Sequence, residues 1–293
     1  MNKEKTSAKQ IVHTLLFGGL GNQLFIYAMA RRLSLANDTE LILDTVTGFI
    51  QDAKYHRQYE LHNFCLHSAV TLRTSEDKFA KFRRRLMPLI EKSKPVGRRK
   101  FIREPAGDFL PDIVNKKLQN TVYLEGYWQS HKYFSDIAEI LKNDLKFQTP
   151  ICLEYKSLQH EIVASQEAVA IHVRRKQYDI AIEGGYYNAA IHQMLQLVPE
   201  CRLYCFSDDP HWCKENLASK YPVQVIYDPD VTALDDFKLM TCCQHFIIAN
   251  SSFSWWAAWL GEQNKTDSIV MMPDKDWYLA RPGNSPDSWL RIK

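Results

Sequence analysis

Long apolar runs are missing from this 293-residue sequence: nowhere do about 18 apolar residues stand in a row, the length a membrane-crossing helix needs. The opening residues, MNKEKTSAKQ, are polar with no apolar signal region behind them. The expectation is a cytoplasmic protein. Cysteine is sparse and odd in number, seven in all, and Cys201, Cys205, Cys242 and Cys243 fall inside strand-like or helix-like text. That pattern excludes a disulfide framework and favours buried thiols. Internal repeats are absent, which excludes solenoids and propellers. Low-complexity sequence is scarce too, and 45% apolar with 24% charged residues is the composition of a folded protein.

Charge of one sign is also lacking overall, but the net +3 conceals an asymmetry. Residues 78–103 hold eleven Lys or Arg against Glu91 alone, an excess of ten, so the rest of the chain carries a net −7. In that stretch Phe79, Phe82, Leu86, Leu89 and Ile90 recur at spacings of three and four. A helix there would carry an apolar stripe beside a cationic face. It could pack on a domain core, kinked at Pro88, or lie on the inner face of an anionic membrane. A nucleic-acid partner is not expected, because the basic residues cluster in one motif-poor region of an otherwise acidic chain.

At this length the chain makes two domains, since single cores stop growing at about 250–300 residues. The expected halves are 1–150 and 151–293. The first opens with a strand at 11–17, a glycine turn (Gly18, Gly19, Gly21), a helix at 22–36 and a strand at 40–44, and closes with a strand at 121–125 and a helix at 131–145. Between them Pro88, Pro95, Pro105 and Pro111 interrupt the pattern. The second half alternates strands at 168–173, 201–207, 223–227, 245–249 and 268–272 with helices near 186–197, 210–219, 234–242 and 252–260. Such alternation predicts a doubly wound parallel sheet, whose ligands sit beyond the carboxyl ends of the strands.

Those strand ends carry the chemistry. GGLGNQ (18–23) is a strand-to-helix turn with room for a ligand against the backbone. It lacks the third glycine of the dinucleotide fingerprint, Leu24 standing there instead. His172, Val173, Arg174 and Arg175 place two guanidiniums past a buried strand; alternation sends Arg174 and Arg175 to opposite sides, so one can reach a ligand while the other makes structural pairs. Arginine grips phosphate bidentately and can neutralise a departing diphosphate without a metal. Asn250, Ser251, Ser252 and Phe253 open an aromatic helix whose amides can cradle phosphate, or whose serines merely cap it. Trp255, Trp256 and Trp259 share a core-facing side. Ser207, Asp208 and Asp209 follow another strand, where carboxylates suit a ribose or guanine better than magnesium. Cys201, Cys205, His211 and Cys213 are expected to be buried thiols and a histidine, not a zinc site.

Five segments, FGGLGNQLFIYAMARRLS (17–34), YLEGYWQSHKYF (123–134), AIHVRRKQYD (170–179), FSDDPHWCKEN (206–216) and IIANSSFSWWAAWLG (247–261), resemble in order the motifs of bacterial alpha-1,2-fucosyltransferases of glycosyltransferase family 11. No motif covers 45–120, the part expected to meet the acceptor. The resemblance implies a GT-B-like α/β fold, two Rossmann-type doubly wound domains facing a cleft, with the acceptor on the N-terminal side and GDP-fucose on the C-terminal side. It implies inverting transfer of fucose to a galactose 2-hydroxyl of a glycan, free or lipid-linked, with no metal or other cofactor. Other readings are a fucosyltransferase of different linkage and a non-catalytic GDP-sugar or glycan binder.

The residues so implicated on the donor side are Gly19, Gly21, Asn22, Gln23, Arg174, Arg175, Ser207, Asp208, Asp209, Asp236, Asn250, Ser251, Ser252 and Phe253. Arg175 matches the diphosphate-holding position, and Asp236 in LDDFKLM matches an acidic one. The sequence departs from the family in one place: Lys176 and Gln177 follow the arginines where Gly-Asp is usual. The general base is therefore open among Asp179, His172, Glu183 and Asp44, with Arg175, His172 and Asp179 the expected catalytic set.

Overall fold

The run Ile11–Leu15 is apolar enough to be buried on both faces and forms the central strand, β1, of the first sheet. In this computed structural model the described residues are 10–293 except 51, 53, 106–108, 177–181, 183, 264 and 275–276. The chain divides into two compact units, the first ending at Gln148 and the second running over Thr149–Lys293.

In the first unit, β1 leads through Gly18 and Gly19 into α1 (Leu20–Ala36) and then β2 (Glu40–Asp44). There follow β3 (Val70–Arg73), α2 (Ala80–Glu91), β4 (Phe101–Arg103), α3 (Pro111–Val114), β5 (Val122–Glu125) and α4 (Ala138–Asp144). All five strands are parallel in the order β3-β2-β1-β5-β4. Pairing of Leu15 with Asp44 and of Thr14 with Leu124 brings the carboxyl ends of β1, β2 and β5 to one edge. Helix α1 shows little amphipathicity because it is buried almost all round, with Leu24, Phe25, Ile26 and Tyr27 inaccessible to solvent. Its Tyr27 hydroxyl and Arg31 Nε both reach Asp144 of α4, at 2.7 and 2.9 Å.

In the second unit α5 (Lys156–Ala164) precedes β6 (Ala168–Val173), α6 (Gly184–Leu197), β7 (Arg202–Ser207), α7 (Pro210–Cys213) and β8 (Val223–Ile226). Then come α8 (Ala233–Cys242), β9 (His245–Ile247), α9 (Ser252–Glu262), β10 (Val270–Pro273) and β11 (Leu290–Ile292). Six parallel strands lie in the order β11-β10-β9-β6-β7-β8. The chain builds outward from β6 to β8 and then returns to place β9 on the other side of β6. The β6/β9 boundary is thus the switch point at which doubly wound sheets bind ligands. Behind it Trp255, Trp256, Trp259 and Trp289 pack as a buried cluster, so the tryptophans of the aromatic helix belong to the core as expected.

Several local expectations are corrected. The helix expected at 131–145 is two short 3-10 turns, His131–Tyr133 and Ser135–Ile137, before α4, because Phe134 adopts φ −146° to bury its ring. The helix expected at 210–219 is one α turn followed by a π turn at Lys214–Ala218. Strands β3, β4 and β11, of three or four residues each, are too short to show periodicity in the sequence. Within 78–103 the helix is present as α2, but packing on the core is not the use of its apolar stripe: only Ala80 and Glu91 of α2 are buried. Among the described residues no helix is long and apolar enough to cross a bilayer.

Candidate functional site

Register fixes the centre of the site. Val173 at the end of β6 pairs with Ser207 at the end of β7, and Ile171 pairs with Ile247 of β9. The segments beginning at Arg174, Asp208 and Asn250 therefore leave the second sheet side by side.

Asp208 organises the first two. One of its carboxylate oxygens accepts the Arg175 backbone N–H at 2.8 Å; the other accepts the Lys176 N–H at 3.1 Å and lies 3.3 Å from Arg174 Nε. Asp209 accepts the Trp212 N–H at 3.2 Å, capping α7, and its other oxygen stands 3.7 Å from Arg175 Nε. The Arg175 guanidinium lies over the Trp212 ring, 4.2 Å from its centroid. Both side chains of the arginine pair are thus held toward β7, where strand alternation alone had them diverging. The two aspartates are thus engaged by amides and guanidiniums rather than standing as adjacent empty carboxylates. Ser207 Oγ accepts the Asp209 N–H at 2.9 Å.

On the β9 side, Ser251 is the N-cap residue of α9 yet its side chain makes no capping bond, so the first-turn amides of the helix are not satisfied by it. The Asn250 Oδ1 atom beside it is buried and has no hydrogen-bond partner. Phe253 packs 5.5 Å from the His172 ring and 5.0 Å from Phe237 of α8. His172 itself is 4% exposed, and burial, then the charge of Arg174, lowers its pKa to about 3. Burial therefore favours its neutral imidazole. Asp236, on α8, accepts the Tyr155 hydroxyl at 3.0 Å, and burial pushes its carboxyl up to about 6.

The glycine turn belongs to the first unit. Gly18 has φ +77°, and Gly19 is the N-cap of α1, its carbonyl accepting from the Asn22 and Gln23 amides. The helix therefore starts two residues before Asn22, where the sequence pattern had it begin. The Asn22 Oδ1 accepts from Gln129 Nε2 at 2.7 Å. The side chain of Gln23 is fully used inside the unit: Nε2 donates to the Gly18 and Gln58 carbonyls and Oε1 accepts the Glu60 N–H. It braces the turn, with both Nε2 protons donated inside the unit. Gly21 is buried beneath the turn. Of the other candidate bases, Asp44 is 1% exposed and accepts from the Val46 and Thr47 amides and the Thr47 hydroxyl. Asp179, Glu183 and Gln177 lie outside the described residues.

Two residues stand out that sequence reading did not single out. Arg57 sits over the glycine turn, its Nη1 being 3.2 Å from where a Gly19 Cβ would be, so any larger residue there would push it away. Glu104 follows β4, accepts the Trp128 N–H at 2.7 Å, and is pushed up to about 7 by burial. Its Oε1 is buried without a hydrogen-bond partner. Both come from the stretch with no recognisable motif, and neither has a spacing signal. His13, Asp44 and Asp77 also bring ligand atoms within 4.8 Å of one another. There Asp77 is paired with Arg73 and Arg83, and burial lowers His13 to about 4, which favours its neutral imidazole.

Comparison with known proteins places the chain in a family. Residues 11–290 match the model of "Glycosyl transferase family 11". The chain is 28% identical to an Escherichia coli alpha-1,2-colitosyltransferase, over 97% of this chain and 99% of that protein. It is 26% identical to the O-antigen biosynthesis glycosyltransferase WbnK of Escherichia coli, over 96% and 100%. Among solved structures it is similar to a mutant of Arabidopsis thaliana FUT1 in complex with GDP, with a TM-score of 0.58 and 14% identity over 94% of this chain and 73% of that one. It is also similar to NodZ alpha-1,6-fucosyltransferase soaked with GDP-fucose, with a TM-score of 0.51 and 15% identity over 86% and 92%. The fold is that of the GT-B fucosyltransferases, and the chain, a glycosyltransferase, belongs to glycosyltransferase family 11.

Proposed function

We propose that this enzyme transfers fucose from GDP-fucose, with inversion and without a metal, to the 2-hydroxyl of a galactose in a glycan. The observation that carries the reading is the placing of an arginine pair, at the end of β6, beside the N-terminus of α9, which follows β9, at the β6/β9 switch point. Both are anion sites, and a nucleoside diphosphate is the anion they suit together.

In this reading the first-turn amides of α9, with Ser252 and Asn250, hold one phosphate. Arg175, steadied by Asp209 and by the Trp212 ring, meets the charge that develops on the departing diphosphate. Asp208 keeps the arginine segment in shape, Arg174 with it. His172 is a packing partner that positions Phe253, and Asp236 supports the nucleotide side through α8. As the acceptor oxygen attacks the anomeric carbon opposite the leaving GDP, its proton passes to a base, for which Asp179 is our candidate ahead of Glu183.

A specific observation favours a second donor: the relative at 28% identity is a colitosyltransferase, so a deoxy analogue of fucose is the alternative sugar. Incubation with GDP-fucose or GDP-colitose and a panel of galactose-terminated acceptors, read by GDP release and product linkage, tests both. An alpha-1,2-fucosylated product supports the proposal. Transfer from GDP-colitose alone replaces the donor, another linkage replaces the regiochemistry, and binding without turnover overturns the enzymatic reading.

A further inference from the structure

The apolar stripe of α2 points outward. Phe79, Phe82, Leu86, Leu89 and Ile90 are 70, 57, 36, 72 and 56% exposed, and at 3.6 residues per turn they span an arc of roughly 100°. The inward side of the helix carries Ala80 and Glu91. Soluble proteins scatter exposed apolar residues singly; a contiguous stripe marks a surface that meets something apolar.

The charges beside the stripe are of one sign. Lys78, Lys81, Arg85 and Lys92 are exposed along its flank, and no ion pair holds them among the described residues. The remaining cations of the helix are engaged, Arg83 with Asp77 and Arg84 with Glu125. The lone acid, Glu91, is turned inward onto Lys94 Nζ at 2.8 Å and the Lys100 amide at 3.0 Å. The stripe is therefore apolar in its middle, cationic along its edge and without exposed negative charge.

We propose that α2 is a membrane-surface helix, which lays its apolar stripe into the interface of an anionic bilayer and sets Lys78, Lys81, Arg85 and Lys92 against lipid phosphates. A bilayer answers both features at once: aromatic and aliphatic side chains enter the headgroup–acyl boundary while lysine and arginine stems reach up to the phosphates. A second copy of the same face does not, because symmetric pairing sets cations against cations. The inference rests on α2 alone and is independent of which sugar the enzyme transfers.

Flotation of the full-length protein with phosphatidylcholine vesicles, and with vesicles containing phosphatidylglycerol, tests it. Binding is expected on the anionic vesicles and is expected to weaken as salt rises. Replacing Lys81, Arg85 and Lys92 by Gln should weaken it by roughly five-fold per cation, about 10²-fold together. Phe82→Ser with Leu89→Ser should weaken it without altering circular dichroism or thermal unfolding, since neither side chain is buried. Failure to float with anionic vesicles, equal binding by both variant sets, or a dimer in solution that dissolves when Phe82 and Leu89 are replaced would each overturn the proposal.

Discussion

Asp208 holds Arg175 by its backbone rather than its side chain: the carboxylate takes the Arg175 N–H at 2.8 Å, leaving the guanidinium to Asp209 and Trp212. Asp208→Asn exchanges a charged acceptor of two amides for a neutral one with a single acceptor oxygen. Destabilisation of about 1–3 kcal/mol is expected, together with a loss of GDP affinity. Thermal unfolding and calorimetric GDP titration measure the two. An unchanged affinity would mean that the loop keeps its shape without this carboxylate.

Arg175→Lys should lower turnover by about 10²-fold while changing GDP affinity far less, because a lysine replaces the charge but not the planar fork or its stacking on Trp212. Steady-state kinetics beside GDP titration separates the effects. Equal losses in both would make Arg175 a ground-state binding residue.

Metal removal should leave turnover intact, since Arg174 and Arg175 already neutralise the aspartate pair where an ion would sit. Assays in EDTA check this. Activity abolished by chelation and restored by magnesium or manganese would return Asp208 and Asp209 to a metal role.

The pH dependence of stability should carry opposite contributions from two kinds of buried group. Glu104 and Glu262 bind protons more tightly folded, at about 7, than at their ordinary 4.5, so stability falls as pH rises across that window. His13 and His172 are lowered to about 4 and 3, so their contribution is present above 6.5 and is lost as pH falls. Glu104→Gln should therefore gain stability relative to the parent as pH rises from 4.5 to 7. Denaturant melts at several pH values would show a constant difference if Glu104 titrates normally.

Gln23→Ala should act on stability rather than on donor binding. Three hydrogen-bonding groups, the Gly18 and Gln58 carbonyls and the Glu60 amide, lose their partner, at a cost on the order of 3 kcal/mol. If the variant instead melts like the parent and loses GDP affinity, Gln23 contacts the donor after all.

The second sheet was legible from sequence because its strands are buried on both faces and read as continuous apolar text, as in AVAIHV of β6. The arginine pair and the serines opening α9 were found by following those strands to their ends. The middle of the first unit was not legible. Its strands β3 and β4 have four and three residues, and α2 shows a strong periodicity whose apolar side faces solvent, against the usual meaning of the pattern. The bracing role of Gln23 was hidden for a different reason: a glutamine beside glycines in a turn reads as a ligand contact, and its partners Gln58 and Glu60 lie far along the chain. The pairing of Arg175 with Asp209 was hidden likewise, since strand alternation stops where the strand does.

The burial of the tryptophan cluster built on α9 has an optical consequence. Of seven tryptophans, Trp128, Trp255, Trp256, Trp259 and Trp289 are shielded from water, so the emission should be blue-shifted and resistant to iodide. Trp212 is partly accessible and faces the Arg175 guanidinium. Occupation of that cation by a diphosphate would alter the Trp212 indole against five shielded ones and the half-buried Trp277, giving the protein a built-in fluorescent reporter that needs no label.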